Sequence, residues 1–92
     1  MIESFKHKGL RQLFADDNTT GVNSEHVRKI RQILGVMNVA QKVADIDVAT
    51  FRLHPLTGDL KGFWSVTVHA NWRTIFRFEN GRAFDVDLID YH

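Results

Sequence analysis

Apolar and polar residues follow a helical period in the first half of the chain and a period of two in the second. In the first half, Leu10, Leu13 and Phe14 lie at helical spacing within HKGLRQLFADD. A second helix is predicted over residues 25–39, with Ser24 as its N-cap. Its apolar stripe consists of Val27, Ile30, Leu34 and Met37.

After Thr50, four segments alternate between apolar and polar residues, which is typical of half-buried strands. They are FRLHPL, GFWSVTVH, NWRTIFRF and RAFDVDLIDYH. Four consecutive strands predict an antiparallel meander, one face of which is covered by the two helices. A further short strand is predicted at MIESF. The predicted fold class is therefore α+β in the order β-α-α-β-β-β-β, with residues 1–92 forming a single domain.

The sequence allows two registers for the last hairpin. Asn80–Gly81 is a strong signal for a two-residue loop, which would pair Glu79 with Arg82. A three-residue loop with a glycine bulge would instead align the apolar residues of both strands and pair Arg77 with Asp85. Because burial usually fixes register, we expect the bulged loop.

Composition and charge exclude several classes of protein. The chain has no cysteine, which excludes a disulfide scaffold, a thiolate zinc site and a cysteine nucleophile. Its 12 Lys and Arg residues nearly balance 11 Asp and Glu residues, giving a net charge of +1. A protein that binds duplex nucleic acid on its own is normally far more basic. No apolar run has the length of a membrane span and no signal peptide pattern is present, so the expected compartment is the cytoplasm.

Histidine is the natural candidate for acid–base chemistry near neutral pH, and the chain has five. His7 and His26 lie at predicted helix starts among charged residues, and we expect both at the surface. His54, His69 and His92 lie at strand ends, where they could gather on one rim of the sheet.

Cleavage of an RNA phosphodiester without a metal fits these groups best. The 2′-hydroxyl must lose a proton, the 5′-oxygen must gain one, and the phosphate needs cationic donors. A zinc site fits less well because no two histidines have the spacing of a helical or knuckle motif. A serine hydrolase is also disfavoured, since no serine lies on a recognisable elbow. The residues that supply the required groups are His54 or His92, Asp90, Tyr91 and Arg73.

Four segments of the chain resemble the HigB-type toxins of the RelE superfamily: MIxSFxHKGL, LHPLTGDLKGFWSV, ANWRTIFRF and the final DYH. The resemblance runs from residue 1 to residue 92. It implies a RelE-like microbial RNase fold and a ribosome-dependent mRNA endonuclease that inhibits translation without a metal or cofactor. It also implies a cognate helix-turn-helix antitoxin of the HigA type. Operator DNA would be contacted only through that antitoxin, and no membrane partner is implied.

The same resemblance identifies the catalytic positions as His54, Arg73, Asp90, Tyr91 and His92. Two departures remove a fixed positive charge: Thr57 stands where the family commonly has lysine, and His69 where it often has arginine. Either Lys61 or His69 could compensate. The candidates for substrate binding are therefore Thr57, Lys61, His69 and Asn71.

Structural roles and other functions stay open at this level. Arg73 could bridge Asp87 or Asp90, His54 could be a satisfied residue at a strand end, and Tyr91 could be a partly buried ring. Two other functions are a non-enzymatic ParE-like toxin that blocks a protein such as DNA gyrase, and a small binding module. The acid–base groups favour the enzyme, because a blocking protein does not need them.

Overall fold

Two helices cover one face of a four-stranded antiparallel sheet in the computed structural model, which describes residues 1–91. The strands follow one another in the sheet as β1-β2-β3-β4, so the predicted α+β meander is confirmed. Within residues 1–91, no helix is long and apolar enough to cross a membrane. The elements are α1 (Lys8–Asp16), α2 (Val27–Val39), β1 (His54–Pro55), β2 (Trp64–His69), β3 (Trp72–Glu79) and β4 (Arg82–Asp90).

Side-chain caps lie at the start of α1 and at the start of the turn that leads into α2. Nδ1 of His7 accepts a hydrogen bond of 3.1 Å from the backbone N–H of Leu10 at the start of α1. A single 3₁₀ turn, Ser24–His26, precedes α2, and the side chain of Asn23 caps it. Ser24 as the cap was therefore wrong by one residue; asparagine is an equally good N-cap and its amide oxygen reaches this turn. The two helices bury Leu10, Leu13, Ile30, Ile33, Leu34 and Met37.

The sheet has a helix face and an open face, because successive side chains of a strand point to opposite sides. The helix face carries the strand residues that pack in the main core with α1 and α2. They are Trp64, Val66, Val68, Phe76, Phe78, Ala83, Val86 and Leu88. The alternate residues of the same strands form the open face, which neither α1 nor α2 covers, although Ser65 and Ile75 at its centre are buried.

The hairpin between β3 and β4 has the two-residue loop, and the expected three-residue bulged loop was wrong. Asn80 and Gly81 both have positive φ, as a type I′ turn requires, and Glu79 pairs with Arg82. The extra residue lies further along β4 instead, at Asp85, where φ is 55°. Without that bulge, the alternation of β4 would turn its aspartates toward the core. The need to bury apolar residues therefore sets the register through a bulge within β4 and not through the loop.

Two predicted strands are shorter in the structure than the sequence pattern indicated. The segment at MIESF forms isolated parallel bridges from Ile2 to Ala83 and from Phe5 to Val86, along the outer edge of β4. The segment FRLHPL contributes only His54–Pro55, because it opens on a 3₁₀ turn and Arg52 is left-handed. Proline then removes a backbone donor, which suits an edge strand.

Candidate active site

Three transverse rows of side chains cross the open face, as the strand register defines them. Two rows carry residues predicted to be catalytic. The His54 row consists of His54, Ser65, Ile75 and Asp87, and the Arg73 row consists of Thr67, Arg73 and Ile89. The third row, at the hairpin end of the sheet, consists of Phe63, Arg77 and Phe84, with Phe63 placed beside Arg77 by continuing the β2–β3 register one position.

The imidazole of His54 is exposed on the open face and oriented by its own local backbone. Its Nδ1 lies 3.1 Å from the carbonyl oxygen of Arg52. Because a carbonyl can only accept, the neutral ring carries its proton on Nδ1 in this contact. The other nitrogen, Nε2, is then left as an acceptor that can take a proton from a substrate.

Arg73 lies on the same face as His54, two strands away and about 10 Å across the sheet at ordinary strand spacing. Its Nη1 donates to the carbonyl oxygens of Ala70 and Trp72. Its Nε is buried and has no hydrogen-bond partner among residues 1–91. Within those residues the guanidinium contacts backbone carbonyls rather than bridging to Asp87. Only Nη1 makes these backbone contacts, and a guanidinium with further donors is suited to a phosphate oxygen.

Asp90 and Tyr91 lie at the end of the sheet that holds Arg73. The bulge in β4 sets Asp90 across from Trp72 and Ile89 across from Arg73, so Asp90 falls on the helix-face side. Tyr91 is exposed, and its backbone N–H donates to the carbonyl oxygen of Asn71 over 2.7 Å. His92, the fifth predicted catalytic residue, lies outside the residues that the structure describes.

His69 does not join His54 on one rim of the sheet, as the sequence suggested. His54 pairs with Ser65, and Ser65 lies about 13 Å from His69 along β2. The ring of His69 instead lies 5.7 Å from that of His26. His26 is buried, not on the surface as expected, and its ring also lies 6.3 Å from that of Trp72. The missed signal is helical spacing, because His26 precedes the buried Ile30 by four residues.

The remaining substrate-binding candidates lie in two places. Asn71 is exposed in the turn between β2 and β3, close to Tyr91. Thr57 and Lys61 are exposed at the two ends of a 3₁₀ turn, Gly58–Leu60. Lys61 lines a pocket at the hairpin end of the open face, away from Arg73.

Sequence reasoning missed two residues of that pocket, Arg77 and Phe84. The alternation of NWRTIFRF already placed Arg77 on the same face as Arg73. Their chemistry is that of a nucleic-acid contact, a guanidinium beside a partly exposed ring. The described side chains do not bring together three histidine, aspartate or glutamate residues that could hold a metal ion. The reactive groups of the candidate site are the imidazole of His54, the guanidinium of Arg73, the phenol of Tyr91 and the carboxylate of Asp90.

Comparison with known proteins identifies relatives over the whole chain. A family model described as the RelE-like toxin of the type II toxin–antitoxin system HigB matches residues 3–92. The chain is 45% identical over 92 residues to Endoribonuclease HigB of Proteus vulgaris, covering 100% of both proteins. It is 29% identical over 90 residues to Toxin HigB-1 of Vibrio cholerae serotype O1, covering 96% of this chain and 95% of that one.

A solved structure has the same fold. The crystal structure of YafQ from E. coli strain BL21(DE3) superposes with a TM-score of 0.54 at 16% identity, covering 95% of this chain and 87% of that one. The family match and the Proteus relative both extend over essentially the whole sequence. The chain therefore belongs to the HigB-like family of RelE-like toxins from type II toxin–antitoxin systems.

Proposed function

We propose that this protein is an endoribonuclease that cleaves messenger RNA as it is translated on the ribosome. Its 45% identical relative from Proteus vulgaris is named an endoribonuclease, which supports the activity. The observation that carries the proposal is the common placement of His54 and Arg73 on a sheet face that no helix covers. An acid–base group and a phosphate-binding cation are the two components that this reaction needs most.

In the proposed reaction, Nε2 of His54 takes the proton of the 2′-hydroxyl, and the 2′-oxygen attacks the adjacent phosphorus. The bond from phosphorus to the 5′-oxygen breaks, leaving a 2′,3′-cyclic phosphate, and the 5′-oxygen receives a proton. The Arg52 carbonyl contact supports the role of His54, because it leaves Nε2 unprotonated in the neutral ring. Each positioned acid or base contributes about 10²–10⁴-fold to such a reaction.

Arg73 binds the phosphate through its guanidinium, which stabilises the charge that builds up on the phosphoryl oxygens. Asp90, Tyr91 and His92 supply the proton for the leaving oxygen and hold the acid in place. The backbone contact between Tyr91 and Asn71, at the Arg73 end of the sheet, supports the role of Tyr91. No step in this scheme requires a metal ion.

The ribosome is the proposed source of substrate positioning. The net charge of +1 gives the isolated protein little attraction for a polyanion at physiological salt. His54 and Tyr91 are exposed, so an RNA strand that the ribosome holds can be presented to them. Holding reactants in place contributes about 7–11 kcal/mol to a reaction, and a ribosome that fixes the message supplies that contribution from outside this protein.

Membership of a type II toxin–antitoxin family implies an antitoxin partner. We propose that this antitoxin is of the HigA type, with a helix-turn-helix fold, and that operator DNA is contacted only through it. Candidates for contacts with message or ribosome are Thr57, Lys61, His69 and Asn71. Of these, Asn71 is the closest along the chain to Arg73 and also accepts the Tyr91 hydrogen bond.

The test is cleavage of message in ribosomes programmed with a defined codon, followed by mapping of the new 5′ ends. We expect in-frame cuts with wild-type protein, and losses of about 10²–10⁴-fold with His54→Ala or Arg73→Ala. Arg28→Ala is the matched control, because it removes an exposed arginine from α2, on the other side of the sheet. Growth arrest without cleavage of any message, or equal cleavage of free RNA, would contradict the proposal.

A further inference from the structure

At the hairpin end of the open face, an arginine of β3 lies between a phenylalanine of β4 and one that immediately precedes β2. We call Phe63, Arg77 and Phe84 the aromatic row. Arg77 pairs directly with Phe84, and the β2–β3 register places Phe63 on its other side. Both rings are partly exposed, and neither belongs to the main core between the sheet and the helices.

The row borders a pocket of about 340 Å³ that is separate from the candidate catalytic groups. Its lining residues are Lys61, Gly62, Arg77, Phe78, Glu79 and Phe84. Arg77 lies four residues from Arg73 on β3, about 13 Å along the same face. The pocket is therefore beside the proposed scissile phosphate but too far away to contain it.

The guanidinium of Arg77 is held in one orientation while half of its side chain is exposed. Its Nε donates to Oδ2 of Asp85 over 3.0 Å, and its Nη2 lies 2.8 Å from the same oxygen. Asp85 is the bulge residue of β4. The carboxylate thus occupies one edge of the guanidinium, and Nη1 lies outside that contact. A planar cation fixed in this way can stack on a base or donate to a phosphate.

Two lysines add positive charge to the row. Lys61 lines the pocket, and Nζ of Lys6 lies 5.6 Å from the centre of the Phe63 ring. Glu79 and Asp85 offset part of this charge. Aromatic faces combined with a weakly positive groove are the means by which proteins bind single-stranded nucleic acid with little sequence preference.

We infer that the aromatic row is a binding subsite for a nucleotide that flanks the cleaved one, with its base stacked on Phe63 or Phe84 and its phosphate near Arg77 and Lys61. The inference rests on the proposed endoribonuclease function and adds a second contact with the same RNA strand. It also predicts the path of the RNA on the open face, because an RNA strand that contacts both sites must run from Arg73 along β3 toward the hairpin.

The test couples a change in the protein with a change in the RNA. Message is prepared with an abasic nucleotide at each position near the cut, and single-turnover cleavage is measured on programmed ribosomes. With wild-type protein, we expect one flanking position at which base removal slows cleavage about tenfold. With Phe63→Leu/Phe84→Leu, intact message should be cut about tenfold more slowly, and base removal at that position should cause no further loss.

Arg77→Gln provides a second measurement that does not disturb the apolar rings. We expect it to reduce the steepness with which cleavage falls with salt concentration, compared with Arg28→Gln as the control. Thermal melts and co-purification with the antitoxin check that each variant is folded. If no flanking base matters, or if base removal slows the leucine variant as much as the wild type, the subsite is overturned while the endoribonuclease stands. Absence of cleavage by wild-type protein would overturn both.

Discussion

Nδ1 of His54 lies 3.1 Å from the carbonyl oxygen of Arg52, and the backbone of Arg52 is left-handed, with φ of 53°. A non-glycine residue in this region usually carries strain that the surrounding structure must hold. The strain here turns a carbonyl toward the imidazole, so the backbone sets the tautomer of the proposed general base. Arg52 is therefore a positioning residue in our proposal.

We expect Arg52→Gly to keep cleavage close to that of Arg52→Lys, and Arg52→Val to lose most of it. Glycine adopts positive φ without strain, whereas a β-branched side chain there costs about 1–3 kcal/mol of folding free energy. Both Gly and Val variants lack the guanidinium, so their difference isolates the backbone. The measurements are ribosomal cleavage across pH and urea unfolding. Equal activity of the two variants would remove the carbonyl from the proposed mechanism.

A similar pair of substitutions tests the bulge at Asp85, where φ is 55°. Asp85→Asn keeps a side chain that tolerates this conformation and removes only a partly exposed ion pair, so we expect a change in stability within about 1 kcal/mol. Asp85→Val should destabilise by about 1–3 kcal/mol. Urea unfolding measures both. Equal stability of the two variants would mean that the bulge does not depend on the residue at this position.

His92→Ala should abolish growth arrest and slow ribosomal cleavage by about 10²–10⁴-fold, because a proton-transfer group is lost. Thermal melts and antitoxin binding should match those of the wild type. Arg28→Ala is again the control, since that residue is exposed on α2, on the other side of the sheet. Full toxicity of His92→Ala would remove this residue from the catalytic set.

Thr57→Lys should raise ribosomal cleavage or leave it unchanged. Thr57 is exposed, so the longer side chain has room, and the new ammonium adds a cation to a surface that binds a polyanion. Thr57→Gln controls for side-chain length without charge. A tenfold loss in the lysine variant alone, with a normal melting temperature, would show that positive charge at this position is unfavourable.

Treatment with a chelator should leave activity unchanged, because the proposed scheme transfers protons between side chains and RNA. The protein is incubated with EDTA, dialysed and added to programmed ribosomes in magnesium buffer. A loss of cleavage that one added transition metal restores would contradict the scheme.

Local patterns predicted the elements of this fold well, but contacts between elements decided the details. Ile30, Leu34 and Met37 lie in the core as the helical period required. The register that would pair Arg77 with Asp85 was wrong, because Arg77 lies opposite Phe84 and reaches Asp85 only through its side chain. The expected bulged loop was wrong because one extra residue is enough to bring the apolar residues of β4 back to the core face. Any position along β4 could supply that residue.

The candidate site was less predictable for the same reason. Asp90 lies opposite Trp72 because of where the bulge falls in β4. The residue pattern of β4 does not predict that position. The contact between His26 and His69 depends on how α2 lies on the sheet, so it is a matter of tertiary packing. By contrast, the common face of Arg73 and Arg77 follows from alternation within one strand and could be read from the sequence.

The short segment along β4 has a consequence for self-association. Backbone hydrogen bonds join Glu3, Ser4 and Met1 to Ala83 and Val86, so this outer edge of the sheet already has a partner. At the opposite edge, β1 spans only two residues and contains Pro55. Exposed strand edges are the usual route by which sheets of separate molecules join and aggregate. With one edge paired and the other limited to two residues, the sheet offers another copy of the chain no long strand edge with which to pair.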